Sequence, residues 1–136
     1  MEVSLALLAD YANVTKEGKL NLLGLFSMIN APTLPWKHPQ MLLVLSFEAS
    51  PAEWDTSKKI EIKLLDVDGN NKLTIGSDLK VPKGEAGRNV SINSIITINN
   101  LRFDTAGDYA FHILIGGEDK KIIPLRVNYV PRSNRA

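Results

Sequence analysis

Asp66, Asp68 and Asn70 are the first residues whose types and spacing suggest chemistry, because oxygen-bearing side chains at alternate positions open a calcium loop. Such a loop starting at Asp66 needs glycine at its sixth position and a bidentate glutamate at its twelfth. Asn71 and Ser77 stand there instead. Gly69 is placed for a tight hairpin, so the segment reads as a turn. A weak cation site shared with other end loops is the alternative.

The two histidines are the next candidates. His38 lies in Trp36-Lys37-His38-Pro39, read as a rigid loop, and His112 sits between Phe111 and Ile113. Neither has a second histidine at ligand spacing, which a transition-metal site would need together with a carboxylate. A surface or hydrogen-bonded structural role fits both. Nucleophile motifs are missing: there is no G-x-S-x-G elbow and no helical Ser-x-x-Lys. Glu118 and Asp119 are adjacent carboxylates, but they fall in a turn, where solvation explains them better than acid–base work. Gly84-Glu85-Ala86-Gly87 carries a carboxylate where a phosphate would have to approach. No cofactor and no catalytic residue is expected.

Trp36 and Trp54 both fall in connecting segments. Each reads first as a plug at an end of the fold. Exposed together, they form a ligand loop that grips a sugar or an apolar peptide.

The totals set the frame for these residues. The chain has 136 residues, 44% of them hydrophobic, enough for one domain with a real core. The formal net charge of +1 is too balanced to predict nucleic-acid binding. Arg126, Arg132 and Arg135, with Lys120 and Lys121, make the C-terminal end basic, but a stacking platform would need exposed aromatics beside them. Nucleic acid is therefore not expected as a partner. The absence of cysteine removes disulfides, thiol nucleophiles and cysteine-held metals. Met1 to Asp10 lacks the basic start of a signal peptide and meets an acid too soon. No apolar run reaches bilayer length, so no membrane is expected, and a cytoplasmic location fits.

Strand signals dominate the rest. Lys59-Ile60-Glu61-Ile62-Lys63-Leu64 alternates polar and apolar, the pattern of a strand with one wet face. Tyr109, Phe111, Ile113 and Ile115 line another strand, and Ile123, Leu125, Val127 and Tyr129 the last. Turn residues separate these runs at Lys16-Glu17-Gly18, Asp66 to Asn71, Lys83 to Gly87 and Gly116-Gly117. The pattern predicts strands over 2–14, 19–30, 40–49, 58–66, 72–81, 89–99, 107–116 and 121–130. About eight strands with short spacings indicate an antiparallel two-sheet β-sandwich, immunoglobulin-like in architecture. At most one short helical turn fits, at Ser50-Pro51-Ala52-Glu53-Trp54, where serine, proline and glutamate spell a capping box. The reading is one sandwich domain over 1–130 and a flexible tail over 131–136.

The first two strands are apolar on both faces. Val3, Leu5 and Leu7 point one way and Ala6 and Leu8 the other; Leu20, Leu22 and Phe26 oppose Leu23, Leu25 and Ile29. A sandwich strand needs only one apolar face. Either the chain covers the second face itself, with the proline-rich loop at 31–39 or the turn at Trp54, or Leu8, Leu23 and Leu25 form an interface.

Leu7-Leu8-Ala9-Asp10-Tyr11-Ala12-Asn13-Val14-Thr15 followed by Gly18-Lys19-Leu20-Asn21-Leu22-Leu23-Gly24-Leu25-Phe26 resembles the opening of a family of small bacterial proteins of unknown function. Asp66 to Gly69 and Phe103 to Phe111 sit where that family has similar features. The resemblance implies a bacterial cytoplasmic β-sandwich and transfers no functional residue. Phe103 through Tyr109 also resembles the tyrosine corner of immunoglobulin-like sandwiches, in which a tyrosine hydroxyl bonds backbone upstream of its strand.

The expectation for function is a non-catalytic protein-interaction module, acting on a protein partner or by self-association as a homodimer. The rival is a domain that binds sugar or calcium through end loops, at Trp36 and Trp54 or at Asp66 and Asp68.

Overall fold

The computed structural model describes residues 1–132. Its strands are β1 (Glu2–Val14), β2 (Leu20–Phe26), β3 (Met28–Ala31), β4 (Trp36–Ala49), β5 (Ser57–Asp66), β6 (Asn71–Lys80), β7 (Val90–Phe103), β8 (Gly107–Ile115) and β9 (Glu118–Tyr129). They form two stacked sheets, ordered β2-β1-β4-β7 and β3-β9-β8-β5-β6. Among the described residues the one helical element is a 3-10 turn over Pro51–Glu53, and no helix is long and apolar enough to cross a membrane.

Period-two burial builds the layers. Ile60, Ile62 and Leu64 of β5 face inward beside Phe111 and Ile113 of β8 and Leu125 and Val127 of β9. Met41, Leu43, Leu45 and Phe47 of β4 meet them from the other sheet. Removing these side chains from water is the main stabilising term, about 1.5–3 kcal/mol for each large aliphatic or aromatic group fully buried.

Local chemistry fixes the ends. Tyr109 donates its hydroxyl to the Thr105 carbonyl at 2.7 Å and packs edge-on against Phe103, so the tyrosine corner is present. In the short turn the Ser50 N–H donates to Glu53 Oε1, as the capping pattern predicts, while the Glu53 N–H donates to the Ser50 carbonyl as the turn's own backbone bond. The Met1 ammonium donates to Glu53 Oε2 at 2.7 Å.

Four features differ from the sequence-based expectation. First, the predicted strand over 19–30 is two strands. The chain breaks at Ser27, whose carbonyl accepts the Arg126 N–H, and crosses to the other sheet. There β3 pairs in parallel with β9, so the described residues form nine strands with one parallel pair. The apolar run on either side of Ser27 hid the crossing.

Second, a bulge resets β1. Val3 pairs with Phe47 but Leu5 pairs with Ser46, which leaves Ser4 as the extra residue. Its hydroxyl donates to the Ser46 carbonyl. After a one-residue slip every side chain changes face. Val3, Ala6 and Leu8 therefore join the main core, and Leu7 packs on the opposite side.

Third, neither the 31–39 loop nor Trp54 covers the second face of β1 and β2, where Leu23 and Leu25 stay exposed; the hairpin itself is the cover, and what it covers is β4. Residues Met41 to Phe47 are all buried, on both faces of the strand. Ala9 is the last β1 residue paired with β4. Beyond it the β1–β2 hairpin folds over the sheet, and Ala12, Leu20 and Leu22 pack on Leu42, Val44 and Ile95 as a second small core. Its tip is pinned to β7: the Gly18 carbonyl accepts from Asn93 Nδ2 at 3.4 Å.

Fourth, β4 begins at Trp36 and pairs with β7 as far as Phe103. Trp36 and His38 thus sit on a strand, not in a loop. Asn100 adopts a left-handed φ of 54° within β7, and burial shifts from Ile98 to Leu101 and Phe103 across it.

Candidate functional site

The folded-over hairpin leaves one face outward. Tyr11 stands directly opposite Leu23, and Leu25 follows two residues later opposite Ala9. These three side chains are 55%, 68% and 59% exposed. Asn13 and Asn21, bonded side chain to side chain, continue the hairpin toward its tip without charge. β2 is also an edge strand, paired among the described residues only with β1, so one row of its backbone groups has no strand partner among them.

Leu8 does not belong to this surface. It was expected there with Leu23 and Leu25, but it is only 1% exposed and lies in the main core. The bulge at Ser4 is the cause.

Where the chain crosses between sheets, a cleft of about 290 Å³ opens beside the apolar face. Leu25, Phe26, Met28 and Ile29 line it from β2 and β3, Trp36 and His38 from β4, and Asp10 from β1. The His38 ring lies 6.1 Å from the Phe26 ring. Burial pulls His38 below the ordinary imidazole value, against weaker opposing pulls from the Asp10 carboxylate and the Gln40 backbone. Its ring is therefore neutral at neutral pH. His38 Nδ1 and Trp36 Nε1 are both buried without a hydrogen-bond partner. Such atoms are rare in native folds, since each costs about 1–3 kcal/mol. Sequence reasoning named Trp36 but missed the cleft, because the crossing at Ser27 brings Asp10 and Met28 to it.

Trp36 and Trp54 do not form a joint ligand loop. They flank opposite ends of β4, whose 14 residues span roughly 45 Å at about 3.3 Å per residue. Trp54 instead packs beside Gly84 and Val90, where a Cβ on Gly84 would come within 3.4 Å of its ring.

The Asp66 carboxylate is turned onto its own loop. It accepts from the Asp68 N–H at 3.0 Å, the Asn70 N–H at 2.8 Å and Asn70 Nδ2 at 3.2 Å. These bonds, the Asn70 backbone first, hold its pKa below the usual value. Among the described residues no group of three acids or histidines could hold a metal ion. His112 Nδ1 lies 2.7 Å from Asp119 Oδ2 at the surface, a structural pairing. Arg135 lies outside the described residues.

The fold and these surfaces define a two-layer β-sandwich with a curled edge hairpin. The chain belongs to a family of unknown function, DUF6941, which matches residues 4–128. No curated protein matches it. Among solved structures it is similar to the Pseudomonas fluorescens alkylpurine DNA glycosylase AlkC bound to DNA containing an abasic site analog. The identity is 10%, the TM-score 0.53, and the match covers 93% of this chain and 30% of that one. That likeness is one of fold alone. This chain spans under a third of the glycosylase, whose activity does not carry over.

Proposed function

We propose that this chain is a non-catalytic interaction module that docks onto a second copy of itself through the outward face of the β1–β2 hairpin. The observation that carries the proposal is the adjacency of Tyr11, Leu23 and Leu25, each more than half exposed on an edge strand pair. Nothing in the second small core needs them exposed. A solvent-facing apolar cluster of this kind marks a contact surface.

Self-docking is favoured by the edge. An antiparallel strand meeting its own copy across a two-fold axis is self-complementary, so one surface supplies both halves of the contact. The free backbone row of β2 gives such a contact its hydrogen bonds, and the three side chains give it apolar area.

Light scattering on the purified chain tests this. The expected result is a mass that rises with concentration toward twice the chain mass, and a fixed single-chain mass for Leu23→Asp. A wild-type chain that stays monomeric at tenths-millimolar concentration overturns self-docking, including in favour of a different protein partner.

A further inference from the structure

We infer that the cleft between β1, β3 and the start of β4 binds a small organic cation, with its ammonium group on the Asp10 carboxylate and its apolar body against Phe26 and Met28. This goes beyond self-docking and stands on Asp10, Phe26 and Met28, with Leu25 the one docking residue that also lines the cleft.

Charge selects the ligand class. Asp10 and His38 are the titratable residues lining the cleft. His38 is neutral, so the lining carries a single negative charge. Asp10 forms no salt bridge among the described residues. Lys37 lies between Trp36 and His38 in β4 but does not line the cleft, and Arg126 pairs with Met28 across β3 and β9. Its guanidinium is held by Asp108 at 3.1 Å, on another strand. The carboxylate is therefore free to receive a cation.

The walls suit a cation with an apolar body. Aromatic faces attract ammonium groups electrostatically, and Phe26 and Trp36 both line the cleft. Met28 is 53% exposed and adds a polarisable, adaptable wall. The volume of about 290 Å³ holds roughly ten non-hydrogen atoms. Two of the three buried ring nitrogens without a hydrogen-bond partner among the described residues, those of Trp36 and His38, belong to residues lining this cleft, the third being that of Trp54.

The test uses the two indole N–H resonances, one from each tryptophan, in titrations of the full chain. The probes are phenethylamine, its neutral counterpart 2-phenylethanol, and glucose. Phenethylamine is expected to shift the Trp36 signal saturably and leave Trp54 unmoved. Asp10→Asn is expected to weaken that binding about tenfold or more, the loss of one charge-assisted bond. If Asp10→Asn folds poorly, Met28→Lys places a rival ammonium at the exposed rim and is expected to give the same loss. The inference is overturned by no saturable shift, by equal binding of 2-phenylethanol, by preferential binding of glucose, or by undiminished phenethylamine binding in a folded Asp10→Asn or Met28→Lys chain.

Discussion

Asp10 occupies the space that a side chain on Gly24 would need: a Cβ there would lie 2.5 Å from Asp10 Oδ2 and 3.0 Å from Asp10 Cβ. Gly24 also holds a left-handed φ of +70° in the middle of β2. Both facts belong to the point where the hairpin turns over the sheet and the cleft begins.

Gly24→Ala is therefore expected to lose about 2 kcal/mol or more, from the left-handed backbone and the contact together. Asp10→Ala in the same chain removes the carboxylate but keeps the Cβ at 3.0 Å, so it should restore part of the contact loss and none of the backbone loss. Denaturant unfolding of the two single variants and the double variant measures that coupling. Strictly additive losses would show that the two residues do not press on each other.

Leu8 and Leu23 separate burial from docking. Leu8→Ala empties a fully buried site and is expected to cost about 2–5 kcal/mol. Leu23→Asp changes a side chain that is 68% exposed and is expected to alter monomer stability by less than about 0.5 kcal/mol. Chemical denaturation at low protein concentration, below any self-association, checks both.

Tyr109→Phe removes the bond to the Thr105 carbonyl and leaves the ring packed on Phe103. The expected loss is about 1 kcal/mol, read as a lower denaturant midpoint at unchanged slope.

Glu53 sets an acid-side dependence. The hydrogen bond from the Met1 ammonium, with smaller contributions from the Ser50 backbone and Lys58, holds its pKa at about 2 against an ordinary 4.5. A carboxyl depressed in the folded state stabilises above its unfolded pKa and loses that contribution as pH falls through the folded one. Thermal midpoints of the wild-type chain and Glu53→Gln are thus expected to differ most above about pH 5 and to converge toward about pH 2. A constant gap across that range would contradict the ion pair.

Much of the fold was legible because alternation is a direct consequence of strand geometry. Ile60, Ile62 and Leu64 could face only one way, and the turn at Asp66 to Asn71 carried its own residue chemistry. The faces of β1 were not legible, because the bulge at Ser4 has no signature that distinguishes it from an ordinary polar position. That one extra residue exchanged Leu7 for Leu8 in the main core. Leu23 and Leu25 were named from their double-sided apolar pattern, and the structure leaves them exposed. The cleft was hidden because its walls come from β1, β2, β3 and β4, brought together by the crossing at Ser27. The pairing of Trp36 with Trp54 failed on length: both flank β4, at opposite ends.

Self-docking through the hairpin face is tested most directly by disulfide trapping, since the chain has no cysteine of its own. Leu23→Cys and Leu25→Cys place one thiol each on the proposed surface, and Val67→Cys, at a site 76% exposed in the β5–β6 turn, serves as the comparison. Covalent dimers are expected to form much faster at position 23 or 25 than at 67, under the same mild oxidation. Equal rates at all three positions, or the fastest rate at 67, would contradict a two-fold contact built on Tyr11, Leu23 and Leu25.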